Sequence, residues 1–313
     1  MSVVVAATPW GSPLTGAWSG SALAMHRQAP ALALRGHVAA YFSVTLDDDG
    51  GTPATVRALP DGCSDLMFDL GPASRAWVRG PRTQAACYEH RPPAALVGVQ
   101  LLPGALHALT GIPASRLCDR WQSLDDTMEE AEPGGAAAAQ RLLQALCTAR
   151  ELPACAGLLD DYLAPRLQVR AVDRRVVRAL AALTASGGGA AIADLAAQCA
   201  TSERNLGRLF ARWVGLAPKR LALILRFQRV LSAANGGQQP AWADLAHELG
   251  YCDQPHLIRD FAAYAGLSPA ALLGSPGAAL DHPVQARSYD VGADQNLTHH
   301  ADPILTRGWK PTR

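Results

Sequence analysis

Two short segments in the C-terminal half of the chain carry polar side chains of the kinds that read the base edges of DNA. Arg204 and Arg208 lie in the first segment, and Gln254, His256 and Arg259 lie in the second. An arginine guanidinium pairs bidentately with guanine O6 and N7, and a glutamine amide pairs in the same way with adenine. These side chains offer hydrogen-bonded recognition of bases, provided that each segment forms a helix that fits the major groove.

Both segments belong to an internal repeat. Each follows a copy of the tetrapeptide ADLA, at residues 193–196 and 243–246, and downstream the two copies stay in register at an offset of 51 residues. The matched pairs are Leu206 and Leu257, Arg208 and Arg259, Phe210 and Phe261, Gly215 and Gly266, and Pro218 and Pro269. Chance repetition does not keep register over so many positions, so the repeat indicates a pair of like modules.

Each copy has the periodicity of two short helices. Leu206 and Phe210 fall on one side of an amphipathic helix, and the second copy repeats the pattern. Ser202 and Asp253 stand where an N-cap residue opens the second helix of each pair. The pattern predicts two helix-turn-helix units, joined by a long helix over residues 217–232.

The order of these motifs over residues 170–273 resembles the DNA-binding domain of AraC/XylS-type transcription regulators. The resemblance rests on both ADLA copies, the joining helix and a Gly-x-x-Pro sequence at the end of each unit. It implies that helices 202–213 and 253–264 enter successive major grooves, about 34 Å apart. Ala200 departs from the family pattern because it stands where the first turn usually has glycine, and a left-handed alanine there costs about 1 kcal/mol.

The resemblance also gives a set of residues expected to contact DNA. Arg204 and Gln254, near the helix starts, are expected at base edges, and His256 is a further candidate. For the matched pair Arg208 and Arg259, two interpretations stay open. Each contacts a base edge, or each contacts phosphate or stabilises the fold instead. The full set is Ser202, Arg204, Arg208, Arg212, Lys219, Gln254, His256 and Arg259.

Positive charge is concentrated in the C-terminal part of the chain. Residues 1–169 carry 12 arginines against 16 acidic residues, whereas residues 170–275 carry 12 basic against 7 acidic residues, although the whole chain has a net charge of only +1. A basic C-terminal domain fits a nucleic-acid partner. Arg212 and Lys219 are expected at phosphates, with an exposed solvated surface as the equal alternative.

Composition is that of a globular protein in a reducing compartment. The seven cysteines include no Cys-x-x-Cys pair, and no apolar stretch reaches the length that spans a bilayer. The N-terminus has no positively charged start of the kind that signal peptides carry. We therefore expect a cytoplasmic protein with no membrane partner.

The N-terminal part predicts short strands that are separated by turns. The predicted strands are residues 38–46, 55–59, 65–70, 76–79 and 95–102. The predicted helices that follow are residues 104–109, 136–152, 158–166 and 171–185, and a flexible, glycine-rich break is expected after them at 186–189. This spacing is typical of a small antiparallel sheet, sandwich or barrel with helices.

Residues 59–70, 97–105 and 111–117 resemble a cupin-like N-terminal domain that occurs in a subset of these regulators. The resemblance implies a sensor or dimerisation unit and brings no ligand with it. A small barrel can hold one small molecule. The candidate lining residues are Cys63, Asp65, Trp77 and Gln100, each with a role in the core or a turn as the alternative.

The predicted fold class is therefore α+β. An N-terminal antiparallel β domain, a cupin-like barrel or sandwich with following helices, covers residues 1–168. An all-α domain of two helix-turn-helix units and a linker helix covers 169–274, and residues 275–313 are expected to form a flexible tail.

The predicted function is sequence-specific DNA binding that regulates transcription, under the control of a small molecule or of dimerisation through the N-terminal domain. Double-stranded DNA is the expected partner, while a small-molecule effector, a homodimer and a contact with RNA polymerase stay open. The alternatives are an effector-independent regulator, a cupin-type enzyme and a DNA-repair fusion. We expect no catalytic residue, no metal and no cofactor, since His90 and His107 are isolated in the sequence, and Cys63 and Cys87 do not make a metal module.

Overall fold

The computed structural model describes residues 2–4, 16–19, 23–47, 54–234, 241–273 and 309–311. Strands come first along the chain and helices follow. An antiparallel β domain thus precedes a helical C-terminal domain, which confirms the predicted α+β class.

The strands form two antiparallel sheets. They are β1 Ser2–Val4, β2 Gly16–Ser19, β3 Leu23–Gln28, β4 Val38–Leu46, β5 Ala54–Ala58, β6 Ser64–Asp69, β7 Arg75–Arg79, β8 Ala86–His90, β9 Ala94–Leu101, β10 Trp121–Ser123 and β11 Trp309–Pro311. One sheet has the order β10-β7-β6-β9-β4-β3, and the other has the order β1-β2-β5-β8-β11. Three of the four edge strands, β1, β10 and β11, have only three residues each, whereas the fourth, β3, has six.

The central strands of the six-stranded sheet are covered on both faces. On β4, Tyr41 packs in the core beneath the helices, while the next residue, Phe42, packs with Met67 and Leu96 on the opposite face. Successive side chains of a strand point to opposite faces, so a strand with two covered faces needs an almost continuous apolar sequence. Strand β4 has such a sequence, VAAYFSVTL.

Five strands were predicted at the positions of β4, β5, β6, β7 and β9, and their ends differ from the structure by a single residue at most. Strands β1, β2, β3, β8 and β10 were not predicted. The sequence of β8, ACYEH, mixes polar and apolar residues without a clear apolar side. Within the predicted flexible tail, Trp309–Pro311 pairs with β8, and the remainder of 275–313 lies outside the described residues.

Four helices of the β domain are α1 Ala105–Thr110, α2 Leu124–Ala131, α3 Gly135–Ala149 and α4 Leu152–Leu167. Helix α2 was not predicted. It begins at Ser123, whose hydroxyl accepts a hydrogen bond from the backbone N–H of Asp126 at 3.4 Å. Helix α4 packs on β3 and β4, where the Asp160 carboxylate accepts a hydrogen bond from the Tyr41 hydroxyl at 2.6 Å.

The C-terminal helices follow the predicted order around one core. They are α5 Arg174–Ala185, α6 Ile192–Gln198, α7 Glu203–Trp213, α8 Pro218–Ala234, α9 Trp242–Glu248, α10 Gln254–Ala265 and α11 Pro269–Leu273. Helix α8 is the predicted joining helix, and its apolar side contacts both helix pairs. Among the residues that the structure describes, no helix is both long and apolar enough to cross a membrane.

The glycine-rich break before α6 is a packed turn. Gly188 has a φ of 81° and lies so close to α8 that a Cβ there would be 2.0 Å from the carbonyl oxygen of Ala222. The guanidinium Nε of Arg226 donates a hydrogen bond to the Gly188 carbonyl at 3.1 Å. Glycine is needed here for its positive φ and for its missing side chain, so the expectation of a flexible break is wrong.

The β domain packs directly against the C-terminal helices. Leu59 belongs to the C-terminal core, and the next carbonyl, that of Pro60, accepts a hydrogen bond from the Gln228 amide at 2.6 Å. On the other side, the His107 ring meets the Trp213 ring edge-on, with 4.4 Å between centroids. Trp213 packs against the cores of both parts of the chain.

Candidate nucleic-acid interface

Helix α7 buries one side and exposes the other. Leu206 and Phe210 are fully buried among the C-terminal helices, whereas Arg204 and Arg208 on the opposite side are exposed. Ser202 caps the helix as predicted, because its hydroxyl accepts a hydrogen bond from the Asn205 backbone N–H at 3.2 Å. Two expected DNA-contacting arginines are therefore free to approach a groove.

Helix α10 repeats this arrangement in the second unit. Asp253 caps it, with its carboxylate accepting a hydrogen bond from the His256 backbone N–H at 2.7 Å. Gln254 and His256 are half-buried, and the His256 ring meets the Tyr251 ring edge-on at 5.3 Å. Arg259 is exposed, but its Nε already donates a hydrogen bond to the Pro255 carbonyl at 3.3 Å.

The two turns that aim these helices use the same left-handed geometry. Ala200 has a φ of 49°, as expected from its place in the repeat, and Gly250 has a φ of 73°. In each turn the next N–H reaches back to the first helix: Thr201 donates to the Ala196 carbonyl and Tyr251 to the Ala246 carbonyl. The alanine in the first turn accepts a conformational cost of about 1 kcal/mol that glycine in the second avoids.

Exposed basic residues flank helix α7. Arg212, Lys219 and Arg220 are all exposed near the junction of α7 and α8. Arg220 forms a hydrogen bond with the Tyr264 side chain of the second unit. Arg212 and Lys219 therefore remain as the expected phosphate contacts of the first unit.

Several other C-terminal arginines are held by partners inside the fold. Arg178 donates to the Gln198 carbonyl at the end of α6, at 2.9 Å. Arg229 forms an ion pair with Glu248 at 2.8 Å, which ties α8 to α9. These side chains stabilise helix ends and helix pairs, so part of the positive charge seen in the sequence is structural.

The two units differ in charge. With histidine counted as neutral, residues 191–216 carry a net charge of +1 and residues 241–267 a net charge of −3. The acidic residues of the second unit are Asp244, Glu248, Asp253 and Asp260. Because phosphate neutralisation requires positive charge, the first unit has the more favourable electrostatics toward DNA.

The candidate ligand residues of the β domain gather at one end of the space between the sheets, except for Trp77. Asp65 is 1% exposed and forms an ion pair with Arg79. The Gln100 amide donates to Asp61 at 2.8 Å, and the Cys63 backbone N–H donates to the same carboxylate at 2.9 Å. These contacts build a buried polar network rather than an apolar core.

Burial shapes the ionisation of this network. Burial raises the pKa of Asp61, against the hydrogen bond from Cys63 and the nearby guanidinium of Arg82. Burial also raises the pKa of the Cys63 thiol, which makes it a poor nucleophile. Burial lowers the pKa of Arg79 to about 10.

Trp77 lies farther along the same face and is half-buried. Its ring meets that of Trp121 edge-on, with 6.5 Å between centroids. The sequence analysis missed Asp61, Arg79, Arg82 and Trp121. The alternation of strand β7 was the available signal for Arg79, because residues 77 and 79 point to the same face.

Two family models match separate parts of the chain. Residues 26–123 match the family model of a domain of unknown function, DUF6597, and residues 195–275 match the model of a helix-turn-helix domain. No curated protein sequence matches the chain. The C-terminal part thus contains a helix-turn-helix domain, in agreement with the sequence resemblance.

Among solved structures, the chain is similar to ToxT from Vibrio cholerae. A variant of apo ToxT is 10% identical, with 80% of this chain and 96% of that chain covered at a TM-score of 0.37. Wild-type ToxT bound to an unsaturated fatty acid is 10% identical, with 82% and 94% covered at a TM-score of 0.33.

Proposed function

We propose that this chain is a transcription regulator that recognises a specific DNA sequence through its two helix-turn-helix units. The observation that carries the proposal is the matched pair of helices α7 and α10. Their apolar sides are buried around one joining helix, while polar residues at corresponding positions stay accessible. Helices of this kind enter the major groove, and two units on one face of DNA address grooves about 34 Å apart.

Within this function, each polar residue has a proposed role. Arg204 and Gln254 contact base edges, since both stand in the first turn of a recognition helix. His256 is a second base contact in α10. Arg212 and Lys219 contact phosphates, because both are exposed near the C-terminal end of α7.

Roles are also proposed for three further residues. Ser202 positions α7 through its cap and lies where a helix start meets the DNA backbone. Arg208 is proposed to contact DNA directly. Arg259 is proposed to contact DNA more weakly, because the Pro255 carbonyl competes for its guanidinium.

We further propose that residues 1–168 control the DNA-binding domain, residues 169–274. The support is direct packing between the two parts, at Pro60 against Gln228 and at His107 against Trp213. Control is exerted by a small molecule or by pairing of two copies of the chain, and contact with RNA polymerase would follow at the promoter. An effector-independent regulator is the alternative.

A regulator of this kind acts on chromosomal DNA in the cytoplasm and needs neither a catalytic residue nor a cofactor. In the described part of the chain, no group of three or more His, Cys, Asp and Glu side chains could hold a metal. The match of residues 195–275 to a helix-turn-helix domain supports a binding protein over the cupin-type enzyme and the DNA-repair fusion.

The test is selection of bound sequences from a random DNA library by the full-length protein at near-physiological salt, since salt sets the non-specific background. We expect an enriched site with two short elements about 10 base pairs apart, centre to centre. The exposed Arg141→Ala variant on α3, outside the proposed interface, serves as the control and should select the same site. A library with no enriched sequence would contradict specific recognition.

A further inference from the structure

Three hydrogen-bond donors converge on the Tyr88 hydroxyl oxygen in the space between the two sheets. The Arg82 Nη1 group donates to it at 3.0 Å. Arg79 and the Trp121 indole also form hydrogen bonds with the same side chain. Charged donors of this kind bind carboxylate and phosphate oxygens more strongly than they bind a neutral hydroxyl.

The two arginines beside this oxygen differ in their direct ion pairs. Asp65 forms an ion pair with Arg79, whereas Arg82 has no carboxylate within ion-pair distance among the described residues. Asp61 lies near Arg82, and the Arg82 charge lowers the pKa of that carboxyl, but the carboxylate accepts its hydrogen bonds from Gln100 and from the Cys63 backbone. A buried guanidinium that makes no direct ion pair is costly, and an anion in contact with it would offset part of that cost.

The behaviour of Tyr88 agrees with a positive potential at this point. The residue is 7% exposed. Burial raises the pKa of Tyr88, yet Arg82 and Arg79, with the hydrogen bonds they donate, outweigh burial and lower the pKa below its usual value. The place filled by the hydroxyl therefore favours negative charge.

Aromatic rings extend from this polar point along the face of the six-stranded sheet. The Tyr88 ring meets Trp121 at 5.6 Å, and Trp121 meets Trp77 at 6.5 Å. Both tryptophans are half-buried and pack against the apolar group that contains Met67. A molecule with an anionic group and an aromatic ring fits this arrangement, with the anionic group at the hydrogen-bond donors and the ring against the tryptophans.

The segment that carries Arg82 also contacts both recognition helices. Pro81 lies against Gly215 just after α7, where a Cβ would be 2.8 Å from Pro81 Cγ. The Ala85 backbone N–H donates to the Tyr264 carbonyl in the last turn of α10, at 2.8 Å. Residues 80–85, which we name the bridging segment, thus connect the C-terminal ends of α7 and α10.

We propose that Arg82, with Arg79 and Trp121, binds the anionic group of a small aromatic carboxylate or phosphate ester in place of the Tyr88 hydroxyl. Release of Tyr88 then moves the bridging segment and changes the placement of α7 relative to α10. The second step rests on the proposed regulator function, whereas the first does not.

The first experiment measures thermal stabilisation and affinity in the full-length protein without DNA. The probes are phenylacetate, phenyl phosphate and the neutral analogue phenylacetamide. We expect at least one anion to raise the Tm and the amide to leave it unchanged. The anion that binds more tightly distinguishes a carboxylate from a phosphate site, and no stabilisation by either would overturn the proposal.

Matched variants locate the site. Arg82→Gln should weaken binding of the stabilising anion by about tenfold or more, while the exposed Arg35→Gln should leave it unchanged. Equal binding by Arg82→Gln and wild type would refute the assignment. Tyr88→Phe removes the competing hydroxyl and should bind the anion at least as tightly as wild type, so weaker binding by this variant would also refute it.

The second experiment measures the Kd for the selected DNA site with and without the stabilising anion. Wild type should show a severalfold change in Kd when the anion is added. Tyr88→Phe, which lacks the hydroxyl, should show a change in Kd in the same direction already without the anion. Anion binding that leaves the Kd unchanged would overturn the role of the bridging segment. If wild type binds no DNA sequence specifically, the proposed function fails, while the thermal measurement still decides whether the anion site exists.

Discussion

The first helix-turn-helix unit presents Arg204, Arg208 and Arg212 to solvent, whereas the second presents Arg259 beside four acidic residues. Both units fold through the same buried side chains, with Phe210 in one and Phe261 in the other. The repeat therefore preserves the packing and varies the charge. We infer that the first unit provides most of the electrostatic attraction to DNA and the second provides sequence preference through hydrogen bonds.

The units also differ in how the β domain holds them. The first is contacted by an aromatic pair, His107 and Trp213. The second is contacted through backbone carbonyls, since Arg57 donates to the Ala265 carbonyl at 3.2 Å and Ala85 donates to that of Tyr264. Because hydrogen bonds weaken steeply with displacement and apolar packing less so, a small shift of the β domain should change its contacts with the second unit more than those with the first.

The largest effect is expected from the aromatic contact of the first unit. Trp213→Ala should lower the free energy of unfolding by about 2–4 kcal/mol, because the ring packs against both cores. At the matched position, Tyr264→Phe keeps its ring and should cost about 1 kcal/mol or less. Chemical denaturation measures both values, and a loss below that of Tyr264→Phe would contradict the role given to Trp213.

Base recognition by the first unit gives the next effect. Arg204→Ala should weaken binding to the selected site by about 1–3 kcal/mol and relax preference at one base position. Titration against single-base variants of the site measures both. Uniform weakening across all sequences would show that Arg204 contacts phosphate.

Arg208 and Arg259 occupy matched positions, so substituting each of them allows the DNA affinity contributed by the two units to be compared directly. Arg208→Ala should weaken DNA binding by about 1 kcal/mol or more, and Arg259→Ala should weaken it less, because the Pro255 carbonyl already engages Arg259. Anisotropy titrations of the two variants on one duplex give the difference. A larger loss for Arg259→Ala would reverse the proposed division between the units.

The smallest effect has the opposite sign. Gly207 is matched by Ile258 in the second unit, and a Cβ at Gly207 would meet no atom within 4 Å. Gly207→Ala should raise the free energy of unfolding by about 0.5–1 kcal/mol, since alanine restricts the unfolded chain and suits a helix interior. A thermal melt without DNA measures it, and a lower Tm would show that the site is not open.

The helical domain could be predicted from the sequence because its signals are local. Apolar spacing placed Leu206 and Phe210 in the core, and the caps Ser202 and Asp253 marked two helix starts. Gln228 is different, because it interrupts an apolar side without a local reason. Its partner, the carbonyl of Pro60, lies 168 residues away in the chain.

The β domain shows the same limit. Strand β4 has an apolar run long enough to predict, but β8 carries Tyr88 and His90 in a short polar sequence. The Tyr88 hydroxyl is accommodated there because charged groups from outside its own strand meet it, as Arg79 and Arg82 do. The periodicity of a single strand does not show which distant side chains will contact it, so part of the proposed anion site could not be predicted.

The salt dependence of DNA binding tests the division between the units most directly. The full-length protein would be titrated on its selected site as wild type, as Arg212→Gln with Lys219→Gln, and as Gln254→Ala with His256→Ala. The first double variant should reduce the slope of log K against log salt by about 0.9 for each lost phosphate contact. The second should keep the wild-type slope and lose about tenfold or more of its preference over random DNA. A reduced slope in the second variant, with an unchanged slope in the first, would contradict the account.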